Sequence, residues 1–559
     1  MCKHYHMPIR RIVQVIGLAQ YVGLWLAFYM HIIPHAYYSP VMHASTYAYV
    51  IFLLWLIADA LRILVEWARY DRYLKKLLIA VAVLTGIMPV LEYVRYITLN
   101  AAAWDLGIFM QSLYSTAFYN MLFHYNVELF FNPGGSFLGV HFSPILFLVV
   151  PLYYLYPSPI TLFIIQSGMV YFSTIAVYLL ADYVFREPRH AFIASLTYLL
   201  IPAMGGLIYF DFHVESFIPM FYILMMLAYA RGRRLEFAIY ALLFLLTIEY
   251  AQVIALALAL VMLIKDAKDR VKLEMAIILA AMAFAMIATV PHAMDLLNPD
   301  KPRGLAVYNA FTLGGYVGNP LYFPIYAIHH AGAVASYIEG YWQLKLIYIT
   351  TNLLPLYPAL TTAWFLPAIP YLAVAVLNTA NWGFFSNYTQ YASYFIPMAT
   401  VAYVFRLSRV RRLYRALHLL LSLIMAIPLF IFLSPLSPLN LNPTWGNIWM
   451  FLGQLNSPPV VEFYKLARLI PANASVLTTN NLFPHFANSL NAYAAPMPLK
   501  NWPNYNITYS YIASLNATYI LIPKYLNPIE DKWLMWKIKA QNYTLIVNAT
   551  YYLLYVKQQ

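Results

Sequence analysis

Apolar residues in this chain come in long blocks, and short loops dense in Lys and Arg separate them. Blocks of about 20 apolar residues match the thickness of a bilayer when helical. The pattern predicts spans at 12–33, 47–68, 77–98, 159–184, 190–209, 217–230, 235–249, 251–264, 273–294, 344–360, 362–378, 390–405 and 413–433. Basic residues cluster at Lys3/Arg10/Arg11, Arg69/Arg72/Lys75/Lys76, Arg186/Arg189, Arg231/Arg233/Arg234, Lys265/Lys268/Arg270/Lys272 and Arg406/Arg409/Arg411/Arg412/Arg415. Such clusters mark cytoplasmic loops, and the spans between them alternate without contradiction. About 13 spans, an odd number, place the N-terminus in the cytoplasm and the C-terminus outside. The expected fold is mainly α, a polytopic transmembrane bundle with a small α/β extracytoplasmic domain at its end.

The pattern breaks in three places. Asn100 to Pro159 reads as a long outer loop, whose apolar run Ile145–Tyr156 is too short to cross and is expected at the interface. Asn298 to Trp342 reads as a second outer loop, rich in Gly, Pro and Tyr. The segment 235–264 lies between two basic clusters, so it must go out and return on arms too short to cross. Its turn, Ile248-Glu249-Tyr250, should sit below the outer surface, where an acid needs a watery cavity or a partner. Beyond residue 456 no span follows. VLTTNN, ATYILIP and TLIVNATYYLLYV read as strands and Val460–Ile470 as a helix. The chain thus divides into an accessory transmembrane hairpin at 1–70, a polytopic domain at 71–456 and an α/β domain at 457–559.

Composition agrees. The 559 residues are 63% hydrophobic and only 10% charged, where a soluble domain carries roughly 25%. The net charge of +13 follows the cytoplasmic loops, so topology explains it and nucleic acid is not an expected partner. The first apolar run is too long for a cleaved signal peptide and reads as a retained span. The single cysteine, Cys2, excludes an internal disulfide and a thiolate metal cluster. Scarce Cys with abundant Tyr, Ile and Leu suits a hot-living archaeon. Sequons at Asn387, Asn473, Asn506, Asn516, Asn542 and Asn548 fall in segments assigned outside, though an Asn- and Thr-rich region also produces them by chance.

Ionisable residues near membrane depth are costly and mark candidate function. The outer-face set is Asp105, Glu128, His141, Asp211, His213, Glu215 and Glu249. Asp105, alone in NAAAWDLGIFMQ, can serve as a general base or can cap the helix that LGIFMQSLY would start. In FDFHVES, residues 210–216, Asp211, His213 and Glu215 alternate. In an extended loop they share one face and could ligate a divalent ion or bind substrate; alternatively Asp211 caps the next helix and Glu215 favours its positive end. His141 could orient a phosphate or bind a metal, or simply sit at the interface. Glu249 could line a cavity or pair with a neighbour. No Walker loop, dinucleotide fingerprint, HExxH or GxSxG motif is present, so neither a nucleotide nor a redox cofactor is expected.

NAAAWDLGIFMQSLY, GVHFSPILFLVVPLYYLYPSPITLFIIQ, LIPAMGGLIYFDFHVESFIP and IPANASVLTTNNLFPHFANSLNAYAAP resemble, in order, blocks of a prokaryotic membrane family catalogued as domain of unknown function 2079. The resemblance covers roughly Leu77 to Lys557. At the short hairpin that family usually shows a basic residue, Glu and Asp, where this chain has Ile248-Glu249-Tyr250. The family is similar in topology to GT-C-type glycosyltransferases. That similarity implies a GT-C-like membrane domain, transfer of a sugar from a polyprenyl-phosphate carrier to an acceptor on the outer face, and membrane lipids as neighbours. It implies that Asp105 is the catalytic base or positions a divalent ion (Mg or Mn). His141, Asp211 and Glu249 would then contact substrate, and His213 and Glu215 would hold the metal. Two rivals are a transporter or flippase for a lipid-linked or small polar solute, and a non-enzymatic scaffold.

Overall fold

A computed structural model describes residues 9–308, 313–316, 318–379, 381–442, 445–496 and 508–558. Each of the expected apolar segments falls on helix. Among the described residues, seven helices are long and apolar enough to cross a membrane: Ile12–Tyr29, His35–Ala68, Arg72–Ile97, Pro159–Phe185, Val214–Arg231, Arg270–Leu297 and Arg412–Leu433. Pro188–Leu199 and Pro202–Tyr209 reach the same length and apolarity only together, and they meet at a bend of 65°. The remaining segments are short, because Pro interrupts them or because the chain turns back. Leu354–Thr361 and Ala363–Ala368, for example, are 3-10 turns carrying Pro355, Pro358 and Pro367.

The expected in-and-out hairpin is present as Arg234–Leu245 and Tyr250–Lys265. Its arms span about 18 and 24 Å at 1.5 Å per residue, less than the roughly 30 Å of a hydrocarbon core. Their tip is covered by protein: Ile145 N donates to Leu246 O at 3.0 Å.

Contacts fix the two ends of the bundle. Basic loops meet at one end, where Arg412 pairs with Glu187 at 2.7 Å, Arg231 lies over Tyr183, and Tyr178 donates to Asp71. The helix Arg72–Ile97 starts there and runs about 39 Å. It delivers the Asn100–Pro159 segment to the opposite end, where the C-terminal region docks.

The first hairpin, Ile9–Tyr29 with Tyr38–Ala68, docks on the helix Ile108–Tyr119. Trp25 Nε1 and Tyr38 Oη donate to Thr116 O at 2.9 and 3.0 Å, and Tyr38 also reaches Ala117 O. These carbonyls belong to a last helical turn, which has no intrahelical donors of its own. The run Ile145–Tyr156 forms the short helices Pro144–Leu148 and Val150–Leu155.

The C-terminal region is a five-stranded sheet. Its strands are β1 (Val476–Thr478), β2 (Ala492–Ala494), β3 (Tyr519–Pro523), β4 (Tyr543–Asn548) and β5 (Tyr552–Lys557), in the order β2-β1-β3-β5-β4. β1 pairs in parallel with both β2 and β3, and β5 runs antiparallel to β3 and β4. Alternate residues face opposite layers. Leu521 and Leu554 join Phe463 of the helix Pro458–Ala467, while Ile520 and Ile522 join Leu534 and Ile538 of the helix Pro528–Ala540. The strand β2 and the helix Pro528–Ala540 were not foreseen. The first is three residues long, and the second mixes charged and apolar residues too evenly to show a clear stripe.

Four sequon asparagines, Asn473, Asn516, Asn542 and Asn548, are exposed, whereas Asn387 is engaged by Asn352 Nδ2 at 2.8 Å. Asn506, Cys2 and Lys3 lie outside the described residues.

The sheet region meets the bundle at Gly107, where an added Cβ would fall 2.6 Å from the buried Phe483 ring. Gly107→Val should therefore push the two apart at a cost of about 1–3 kcal/mol. Faster proteolytic release of the C-terminal region, with the bundle intact, is the expected result.

Candidate functional site

After Ile97 the chain reverses sharply, with Leu99 in the left-handed region at φ 65°. It then forms a single π turn, Ala103–Gly107, before the helix Ile108–Tyr119. Such turns are rare and concentrate at functional sites. Three contacts hold this one. Asp211 accepts from Ala102 N at 2.8 Å, Asn480 Oδ1 accepts from Ala103 N at 2.9 Å, and Asn480 O accepts from Ala103 N at 2.8 Å. Asp105 caps no helix; its carboxylate meets His213 Nε2 at 3.2 Å and remains 22% exposed.

Asp105 opens onto a cavity of about 420 Å³. His141, His213, Glu215 and Glu128 line it, with Arg303 from the second long loop. Trp104, Phe109, Trp382 and Tyr391 supply aromatic walls, and Ile248 and Tyr250 come from the tip of the short hairpin. Residues from six separate stretches of chain thus share one chamber at the end of the bundle away from the basic loops.

Each charge has a definite neighbour. Burial works against a protonated His213, but the Asp105 hydrogen bond and charge, with Glu215 nearby, outweigh it and hold the imidazole up to about 9. His213 Nδ1 lies 2.8 Å from Asp211 O, and Gln166 Oε1 accepts from His213 N at 2.9 Å, so ring and backbone are both oriented. Glu215 accepts from Tyr394 Oη at 3.0 Å. Burial raises the pKa of the Glu128 carboxyl, opposed by the hydrogen bond from Tyr125 and by the charges of His141 and Arg303. Arg303 is delivered by a turn in which its own N and Gly304 N donate to Asp295 at 2.7 and 2.8 Å; its guanidinium donates to Val140 O at 2.8 Å.

Two of the acids named from the sequence lie behind the cavity wall. Asp211 is 1% exposed and pairs with Arg95, so of the three alternating ionisable residues in FDFHVES only His213 and Glu215 reach the lining, alongside Phe210 and Val214. Glu249 is fully buried and accepts from Phe142 N at 3.0 Å and from His141 Nδ1 at 2.8 Å. Its two flanking residues, Ile248 and Tyr250, face the chamber.

The metal expected at His213 and Glu215 meets a different donor geometry. His213 Nε2 faces Asp105, Glu215 faces Tyr394, and among the described residues no three His, Cys, Asp or Glu side chains could hold an ion together.

Arg95, Arg303 and the buried Glu92 were missed. Arg95 and Glu92 sit inside the apolar block 77–98, and a charge at that depth was itself the signal. Glu92 accepts from Ser167 Oγ at 2.8 Å and Gln166 Nε2 at 3.2 Å, one link from His213. Arg303 stands apart from every cytoplasmic cluster, which was its only mark.

A family model described as "Predicted membrane protein (DUF2079)" matches residues 95–527. No curated protein matches the chain. Among solved structures, ArnT from Cupriavidus metallidurans bound to undecaprenyl phosphate is similar with a TM-score of 0.47 and 9% identity. That match covers 85% of this chain and 97% of ArnT. The apo ArnT structure gives a TM-score of 0.47, 10% identity, and 83% and 95% coverage.

Two predictions follow from these pairings. Arg95→Met leaves Asp211 buried without its cation and should cost about 3–5 kcal/mol, whereas Arg95→Met with Asp211→Leu should recover much of it; melting temperatures in detergent measure both. Because the folded pKa of His213 is raised, its stabilising contribution is full below about pH 6.5 and is lost as pH rises through 9. The melting gap between wild type and His213→Asn should accordingly be level from about pH 5.5 to 6.5 and narrow as pH rises through 9.

Proposed function

The chain belongs to the DUF2079 family of predicted membrane proteins, and on that premise we propose that it is a membrane glycosyltransferase. The donor in this reading is a sugar linked to a polyprenyl-phosphate carrier, and the acceptor lies on the outer face. One observation carries it: a partly exposed carboxylate, Asp105, shares a single aromatic-walled chamber with the His213 imidazole, 3.2 Å away, and the Arg303 guanidinium. An acid and cations at one site suit displacement of a phosphate leaving group. Aromatic walls suit the C–H faces of a sugar.

In this reading Asp105 accepts the proton of an acceptor hydroxyl as that oxygen attacks the anomeric carbon. The bond from the anomeric carbon to the phosphate oxygen breaks, its electron pair leaves with the phosphate, and configuration inverts. His213 and Arg303 stabilise the charge that develops there. Glu249 holds His141 at the wall, and Asp211 with Arg95 holds the Asp105 turn. A Mg²⁺ or Mn²⁺ ion would enter on the donor's phosphate oxygens, as Mg²⁺ commonly does, and no step depends on it.

We assign the chamber and the C-terminal sheet to the outer face, because basic loops gather at the far end and basic loops stay cytoplasmic. The three-part division at residues 70 and 456 belongs to the same reading. A carrier built on inverted repeats would need paired broken helices in corresponding halves; Pro188–Leu199 with Pro202–Tyr209 is one such break and the Pro-interrupted segment 354–368 another.

Asp105→Asn should lower transfer from a polyprenyl-phosphate-linked sugar by about 10²–10⁴-fold, with a melting temperature no lower than that of His213→Asn, which loses the same pair and keeps the fold. Full activity in that variant would remove Asp105 from the mechanism.

A further inference from the structure

The C-terminal sheet contains a feature that the bundle chemistry does not use. β1 and β3 are parallel neighbours, but the chain leaves them in opposite directions. From β1 it goes to β2 on one side; from β3 it goes through the helix Pro528–Ala540 to β4 on the other. The gap beyond the carboxyl ends of two such strands is where α/β sheets bind ligands, since the diverging loops leave a crevice between them. Here that gap is an open crevice of about 620 Å³, lined by Thr479, Asn480 and Asn481 after β1 and by Tyr525, Asn527 and Glu530 after β3. Its size is in the range of small-molecule sites.

The lining indicates the ligand class. Tyr525 (91% exposed) and the half-buried Tyr551 supply aromatic groups, and Asn, Thr and Glu side chains present amide, hydroxyl and carboxylate groups. No Lys, Arg or His is among the described lining residues. A helix N-terminus ordinarily attracts anions, but this one carries Glu530 and Asp531 in its first turn, which repel them. The crevice therefore disfavours phosphates and nucleotides. Aromatic rings with amides and one carboxylate suit a neutral, hydroxyl-rich ring.

We propose that the crevice between β1 and β3 binds a neutral saccharide, at a site separate from the Asp105 chamber. The two sites are joined through one residue. Asn480 lines the crevice, and its side-chain oxygen accepts from Ala103 N at 2.9 Å and Trp104 N at 3.3 Å, on the turn that carries Asp105. A saccharide held there rests against the loop that positions the catalytic turn, so the C-terminal region presents glycan beside the chamber.

The test uses the full chain in detergent on an array of neutral hexose and N-acetylhexosamine oligosaccharides, with sialylated and phosphorylated glycans as the anionic arm. Neutral glycans should be retained. Tyr525→Ala and Glu530→Gln, both at partly or fully exposed positions, should each weaken binding at least tenfold with the melting temperature unchanged. Asp105→Asn should bind as wild type does, which separates this result from the transferase reading. Retention of anionic glycans only, retention of none, or binding that Tyr525→Ala and Glu530→Gln leave intact while Asp105→Asn abolishes it would overturn the proposal.

Discussion

The ion pair between Arg95 and Asp211 is the constraint on which the functional end of the molecule depends. Arg95 is near the end of a membrane-length helix, and Asp211 follows the bent pair of helices. Both are buried. Charges so placed are tolerated only when paired and hydrogen-bonded. Here the second carboxylate oxygen accepts from Ala102 N, so the pair also sets the start of the π turn. The backbone oxygen of the same aspartate orients His213, which faces Asp105. One buried carboxylate thus fixes the acid and its imidazole partner relative to each other.

The rest of the chamber follows the same pattern of indirect support. Glu249 sits on a hairpin too short to cross, and its carboxylate ties down His141 and Phe142. Asp295 closes the turn that delivers Arg303. In each case a fully or partly buried acid is spent on a neighbouring group's geometry, and a different residue meets the cavity. Low dielectric surroundings strengthen such contacts and make their loss costly, and they tie together lining residues from distant parts of the chain.

The chamber and the crevice in the sheet differ in charge as their surroundings differ. The chamber holds cations and acids together among aromatic rings, whereas the crevice has rings, amides and a lone carboxylate. Asn480 lines the crevice and hydrogen-bonds the turn that carries Asp105, and Phe483 and Gly107 pack the two regions tightly nearby. The sheet region is therefore part of the site's support as well as a unit with its own core.

The sequence alone determined the helical bundle, the short hairpin and the strands β1, β3, β4 and β5, because apolar blocks of membrane length and β-rich runs are local signals. It also singled out Asp105, His213 and Glu215, because charges are scarce in so apolar a chain. Only the tertiary structure decided which acids face the chamber. Asp211 and Glu249 looked equivalent to Asp105 along the chain, but burial against Arg95 and His141 turned them inward. Arg303 and Asn480 reach their places across more than a hundred residues of sequence. No local pattern encodes such a meeting, because it is set by how the helices pack.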